Sequence, residues 1–388
     1  MKINLNSTDI NSIITYDLYL VKSKKFKFNL VVLSNIFRSI NLYSSKKINN
    51  SLTLFSIGRY NRRDYDEILD YVSSNVINKK IINLNFCNDS FSFNLKNLFS
   101  SYKYVINSHS NLNFFKKIHL FSKLVFYLNI FSDLKKISPK CKKYCSFSSS
   151  HSIESVFTLY FNKINVETFN LQHGLFFMFK NYVSIDSINY QNFISKYQLC
   201  WGNYTKNEFN KYGYNNSRLI VAGYPRKYNR KKPPNFILKD NCLVFLARND
   251  FNSSNIALIE ILNKFSLKNK ITFHLKLHPN LNFNFYQNYS SDFIKIINGN
   301  KKISEILRKK NDFGWAISVN SAAYYESYMY NLICLRFNDG SFEDSVSIDN
   351  DIFTDLQSFT NKINKIPFNN KKHYLDFLNK KYSILKMY

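Results

Sequence analysis

From residue 242 to residue 337 short apolar runs alternate with helical patterns without a break, and this alternation restricts the possible folds more than any other feature of the chain. Strands are expected at 242–247, 271–277, 315–318 and 332–337, with helices at 256–265, 303–308 and 322–330. A helix between each pair of strands implies a parallel sheet with right-handed crossovers. In such a sheet the residues just past the strands' carboxyl ends are the ones offered to a ligand.

The first half carries the same alternation less regularly. Strands are expected at 28–33, 51–57, 81–86, 144–147, 166–171, 197–201 and 219–222, with helices at 114–131 and 206–212. A further helix starts near His151, with the run Ser148-Ser149-Ser150 available to cap it. At 388 residues the chain suits two domains, each able to bury a core. The paired prolines of Arg230-Lys231-Lys232-Pro233-Pro234 mark the best linker. The expected boundaries are therefore 1–229 and 230–388, with a last helix at 373–385 packing back on the first domain. The resulting fold class is α/β, two Rossmann-like domains whose parallel sheets face a central cleft.

Lys and Arg number 54 against 26 Asp and Glu, a net charge of +28 that attracts polyanions: nucleic acid, an anionic membrane surface or phosphorylated substrates. The basic residues fall in scattered pairs rather than one block, and the anionic inner leaflet is the favoured partner. Six cysteines without a CxxC pair fit reduced core thiols better than disulfides or a zinc site. No apolar run suits a spanning helix, and residues 1–25 lack the plan of a signal peptide. A cytoplasmic protein, peripheral on the inner face of the membrane, is expected.

Four motifs stand at predicted strand ends: Gln172-His173-Gly174, Gly223-Tyr224-Pro225-Arg226, His278-Pro279 and Asn320-Ser321 with Glu326 beyond. A strand that gives way at once to a helix near Ser321 leaves backbone N–H groups pointing outward, an anion site that Asn320 or Ser321 can complete. Glu326 can accept hydrogen bonds from ribose hydroxyls. His278, held at its strand's end by Pro279, can donate to a phosphate, whereas His274 reads as core. The Arg226 guanidinium at the domain junction can reach a phosphate or carboxylate. His173 can take the proton of an attacking hydroxyl, and Gly174 permits close backbone approach. Glu154 and Asp89 are rival bases. The DxD form of Asp349-Asn350-Asp351 lies in a polar loop away from these motifs and is read as loop rather than metal site.

In this order the motifs resemble those of bacterial GT-B surface-polysaccharide transferases, namely the capsule polysaccharide biosynthesis and CDP-glycerol glycerophosphotransferase families, related to bacterial sialyl- and Kdo-transferases. The resemblance spans roughly residues 148–337. It implies donor binding by His278, Pro279, Asn320, Ser321, Glu326 and Arg226, and an acceptor facing His173 and Gly174. Leu175 stands where the teichoic-acid-type pattern has threonine, and Asn320-Ser321 where it has a serine pair. The Gln-His-Gly form is closer to capsule and Kdo-type enzymes. The implied activity is glycosyl transfer from a nucleotide sugar, a CMP-linked acidic sugar such as sialic acid or Kdo, to a capsule or lipopolysaccharide glycan. No metal and no cofactor beyond the nucleotide-sugar co-substrate is required, because N–H dipoles and histidine would stabilise the departing phosphate. A polyol-phosphate transferase on the same scaffold is the second reading. A nucleic-acid-binding protein is the third; it accounts for the charge and leaves the ordered motifs unexplained, so no nucleic-acid partner is expected.

Overall fold

The structure is a computed structural model and describes residues 4–5, 8–23, 26–41, 51–58, 63–84, 87–138, 140–174, 185–211, 213–225, 240–308, 313–319, 321, 323–330, 332–341 and 351–364. Its internal contacts divide it into two compact units, whose main described segments are 4–225 and 240–364. The expected helix at 373–385 lies outside the described residues.

In the first unit a small ribbon, β1 (Asn4–Leu5) and β2 (Thr8–Asp9), precedes α1 (Ile10–Lys22). There follow β3 (Arg38–Ile40), β4 (Ser51–Ile57), α2 (Arg63–Ser74), β5 (Lys79–Asn83), β6 (Asp89–Phe91), α3 (Leu95–Ser108) and α4 (Phe114–Ile137). The unit closes with β7 (Cys141–Ser146), α5 (Ser152–Lys163), β8 (Glu167–Leu171), α6 (Ile185–Gln191), β9 (Tyr197–Cys200), α7 (Asn203–Lys211) and β10 (Leu219–Val221). Six strands form one sheet in the order β10-β9-β8-β7-β4-β5, every neighbouring pair parallel. Alternate residues of a strand serve opposite faces. Leu54 and Tyr144 join the core beneath α1, α4 and α5, while Phe55, Ile57, Cys145 and Phe147 join the core under α2.

The second unit contains β11 (Asn241–Phe245), α8 (Asn252–Asn269), β12 (Thr272–Lys276), α9 (Phe283–Gln287), β13 (Ile294–Ile297) and α10 (Ile303–Arg308). It continues with β14 (Trp315–Val319), α11 (Ala323–Met329), β15 (Ile333–Phe337), β16 (Ile352–Phe353) and α12 (Leu356–Asn364). Its sheet runs β13-β12-β11-β14-β15-β16, again all parallel. Every residue of β14 and β15 is buried, as expected for strands covered on both faces. Chain order reverses between β4 and β7 in the first sheet and between β11 and β14 in the second. Each reversal leaves a crevice outside the carboxyl ends of those strands.

The structure corrects three local expectations. Residues 28–33 do not form a strand: the Asn29 side chain accepts from the Val31 N–H at 2.9 Å and starts a 3-10 helix over Leu30–Phe37. The serine run does not cap α5, whose N-cap residue His151 makes no side-chain cap bond. Instead Ser149 accepts from the Ile194 N–H and Ser150 donates to the Asn189 carbonyl, tying this turn to the segment before β9. The strand expected at 81–86 begins earlier, at Lys79, where pairing with Thr53 of β4 sets its register. The elements α1, β3, α2, β6, α3, α6, α9, β13 and α12 were not among the expected ones.

Candidate functional site

The second unit gathers a polar group at the carboxyl edge of β11, β12 and β14. The β11–α8 turn is closed by Asn255, whose amide accepts from the Ala247 N–H and donates to the Ala247 carbonyl, both at 2.9 Å. His278 lies just past β12, half-buried, with Nδ1 accepting from the Asn280 N–H at 3.2 Å. The neutral ring therefore carries its proton on Nε2. Beneath it Lys276 is 5% exposed, and its Nζ donates to the carbonyls of Leu277 and Gly299, each at 2.7 Å. Burial pushes this amine down to about 8, and the nearby Glu326 carboxylate opposes the fall. Lys276 thus ties the strand end that carries His278 to the β13–α10 loop.

Gly299 in that loop admits no side chain. A Cβ there would stand 2.8 Å from the His278 carbonyl oxygen and 3.0 Å from the Pro279 Cα. Ser321 follows β14, two strand spacings or roughly 10 Å across the sheet from the end of β12. Its hydroxyl oxygen accepts from the Ala323 N–H at 3.2 Å and its carbonyl from the Tyr324 N–H at 3.1 Å, so it caps the short helix α11. Glu326 on α11 is buried beside Lys276. His278, Pro279 and Glu326 therefore share one sheet edge with Ser321. Asn320 and Arg226 lie outside the described residues. His274 is set apart, its Nε2 3.2 Å from the Asn241 side-chain oxygen at the opposite end of β12.

Behind α11 stands a buried ion pair. Arg336 donates to both carboxylate oxygens of Asp351, with Nη2 to Oδ1 at 2.8 Å, and the Tyr324 hydroxyl donates to the same carboxylate. Asp351 is thereby committed to Arg336 and Tyr324, which removes it from any DxD metal pair; Asp349 and Asn350 lie outside the described residues. Among the described residues no cluster of His, Cys, Asp or Glu is placed to hold a metal ion.

In the first unit His173 follows β8 and lies in an aromatic sandwich. Its ring stacks on Phe147 at 5.0 Å and on Tyr190 at 5.2 Å, with Tyr65 edge-on at 5.4 Å. The Tyr190 hydroxyl accepts from the N–H groups of His173 and Gly174 and donates to the Gly174 carbonyl at 3.1 Å, fixing the turn. Gln172 is fully buried and accepts from the Trp201 N–H at 2.7 Å while Trp201 Nε1 donates back to its carbonyl. The Gln-His-Gly motif is thus one buried clamp, one half-buried ring and one turn residue pinned by Tyr190.

The two rival bases are placed otherwise than expected. Glu154 is 0% exposed, and its carboxylate accepts from the Phe147 N–H at 2.7 Å, the Ser148 N–H at 3.2 Å and the Ser56 hydroxyl at 3.0 Å. Saturated and sealed in this way, it holds the Phe147 turn against His173 rather than exchanging protons with a substrate. Asp89 lies on β6, paired antiparallel with β3 in a ribbon separate from the main sheet, and its carboxylate is 3.4 Å from Arg38. Neither belongs with His173 at the carboxyl edge as a base.

Reading the sequence missed His151, which sits near enough to His173 for their charges to interact. Burial pushes His151 down to about 4, Asp17 opposes, and His173 and Lys123 add to the depression. Tyr16 packs edge-on against the ring at 4.1 Å, and Asp17 is held by the Tyr127 hydroxyl at 2.8 Å. A histidine neutral in the fold down to about 4 but protonated near 6.5 when unfolded makes the unfolded chain bind more protons between those values. Stability is therefore expected to fall by about 3 kcal/mol as pH drops through that window. Urea unfolding of the wild type and of His151→Gln at neutral and acid pH checks this; equal slopes in the two would refute it.

No protein-family model and no curated protein matches the chain. Solved structures do. The UDP-GlcNAc 2-epimerase of Methanocaldococcus jannaschii, in complex with UDP-GlcNAc and UDP, aligns over 86% of this chain and 97% of its own at 13% identity, TM-score 0.52. The UDP-N-acetylglucosamine 2-epimerase of Rickettsia bellii aligns over 87% and 93% at 11% identity, TM-score 0.50. At such identities the likeness is one of fold: the chain is built, like these proteins, from two Rossmann-like α/β units in a GT-B type of architecture.

Proposed function

We propose that the protein is a metal-independent glycosyltransferase that moves a CMP-linked acidic sugar, such as sialic acid or Kdo, onto a hydroxyl of a bacterial capsule or lipopolysaccharide glycan. The reading includes its place, the inner face of the cytoplasmic membrane. The observation that carries it is His278 at the carboxyl edge of the second sheet, its Nδ1 accepting from the Asn280 N–H, which favours the tautomer with the proton on Nε2, and its peptide seated on Gly299. A phosphate oxygen accepting from Nε2 would also raise the imidazole's pKa and so add charge. Ser321 and Glu326 belong to the same edge and are assigned to the donor's sugar and ribose, as the motif resemblance implies for Arg226 and Asn320 too. His173 takes the proton of the acceptor hydroxyl, with Gly174 leaving room beside it.

One solved structure of this fold holds UDP-GlcNAc and UDP, so uridine nucleotides form the control arm of the test. Thermal unfolding with CMP, CDP, UMP and UDP, followed by nucleotide release from the corresponding activated donors, separates the alternatives. CMP release from CMP-sugars supports the proposal; turnover of CDP-glycerol would instead favour polyol-phosphate transfer. Loss of one charge-assisted hydrogen bond is worth about 1.5–3 kcal/mol. His278→Ala is therefore expected to weaken nucleotide binding roughly ten- to hundredfold, and Gly299→Ala to act in the same direction by pushing the His278 peptide aside. Unchanged titrations of both variants would sink the assignment.

A further inference from the structure

The helix α3 is apolar on both faces. Its buried face puts Tyr104 and Val105 into the core, beside Ser101 and Asn97, which donates to Asn129 at 2.9 Å and Ser132 at 3.2 Å on α4. Its exposed face carries Leu95, Phe99, Tyr102 and Ile106, spaced by four, three and four residues and so aligned in one stripe. Phe99 is 67% exposed. The β3–β6 ribbon adjoins α3 through Asn129, which accepts from Asn97 and donates to the Arg38 and Ser92 carbonyls; there Phe37 stacks on Phe91 at 6.3 Å and on Phe93 at 5.6 Å, with Phe91 81% exposed. An apolar surface of this extent marks a place of contact.

Charge decides the occupant. Residues 18–63 and 90–132 contain no aspartate or glutamate, the one carboxylate on the ribbon, Asp89, is paired with Arg38 at 3.4 Å, and Lys96 and Lys103 flank the stripe on α3 itself. A second copy of a chain carrying +28 would set basic surface against basic surface. An anionic bilayer supplies apolar depth and the opposite charge together. A helix of 14 residues is too short to span, and among the described residues no helix is long and apolar enough to cross a membrane. We infer that α3 and the Phe37–Phe91–Phe93 ribbon form an in-plane docking surface for a membrane rich in anionic lipid. The inference rests on the membrane location in the proposed function and not on its donor chemistry.

Flotation with vesicles of mixed phosphatidylglycerol and phosphatidylethanolamine tests it, with phosphatidylcholine vesicles as control. The wild type should float with the anionic vesicles only. Phe91→Ser combined with Phe99→Ser should reduce binding by about tenfold or more, since both rings leave the apolar interface. Lys96→Glu combined with Lys103→Glu should also reduce it, and added salt should weaken the wild type's binding. These side chains are exposed, so unfolding curves and nucleotide titrations in solution should match the wild type's. Loss of nucleotide binding in the wild type would overturn the donor reading and leave the vesicle result standing. Binding unaltered in the serine variant, no flotation at all, or a dimer that the serine variant dissolves would overturn the docking surface.

Discussion

His173→Asn is expected to lower sugar transfer by roughly a hundred- to ten-thousandfold, the usual contribution of a general base, while nucleotide binding stays as in the wild type. The His173 ring is gripped between Phe147 and Tyr190, and its backbone N–H is already given to the Tyr190 hydroxyl. Asparagine keeps a polar group of similar reach but cannot accept and hold a proton near neutral pH. Nucleotide release in the presence of acceptor, measured beside nucleotide titration, separates the two effects. If transfer survives within a few-fold, His173 is structural and the acceptor side of the proposal fails. Phe147→Ala provides a second readout: the stacking partner is lost, and transfer should fall with the ring's orientation even though no proton acceptor has been removed.

Asp351→Ala is expected to cost about 3–5 kcal/mol of stability in the second unit, because it leaves the Arg336 guanidinium buried without its counter-ion. Arg336 and Asp351 side chains are 7% and 2% exposed, so water cannot take the carboxylate's place. The damage reaches the site: the Tyr324 hydroxyl loses its acceptor, the Arg336 guanidinium sits over the Tyr324 ring at 5.1 Å, and Tyr324 belongs to the helix that carries Glu326. Combining Asp351→Leu with Arg336→Met should recover most of the loss, since apolar residues of similar volume often replace a buried pair at little cost. Urea unfolding of the three proteins decides it. A single variant as stable as the wild type would show that Arg336 finds another partner.

Much of the frame is legible in the sequence because its signals are local. Apolar runs of strand length, broken by Gly58, Gly223 or Pro279, mark strand ends wherever the chain goes afterwards, and the histidine motifs were found at such ends. The exposed stripe of α3 was not legible, since no helix was expected there; the burial of Tyr104 and Val105 and the bond from Asn97 to Asn129 turn Leu95, Phe99, Tyr102 and Ile106 outward. Asp89 looked like a residue following a strand and proved to be within another, because a three-residue segment takes its conformation from whichever partner reaches it, here β3.

By itself the sequence determined two alternating α/β units and the order in which His173, His278 and Ser321 meet the strand ends, since backbone periodicity and Gly or Pro punctuation act within a few residues. Tertiary structure alone decided which ionisable groups are sealed and by which partners. Glu154 closes on Phe147, Lys276 is drawn to Gly299 and Glu326, His151 to Asp17, and Asp351 to Arg336. The reason is physical: a side chain's charge and availability follow from burial and from partners far away in sequence, and neither quantity exists until the chain has folded.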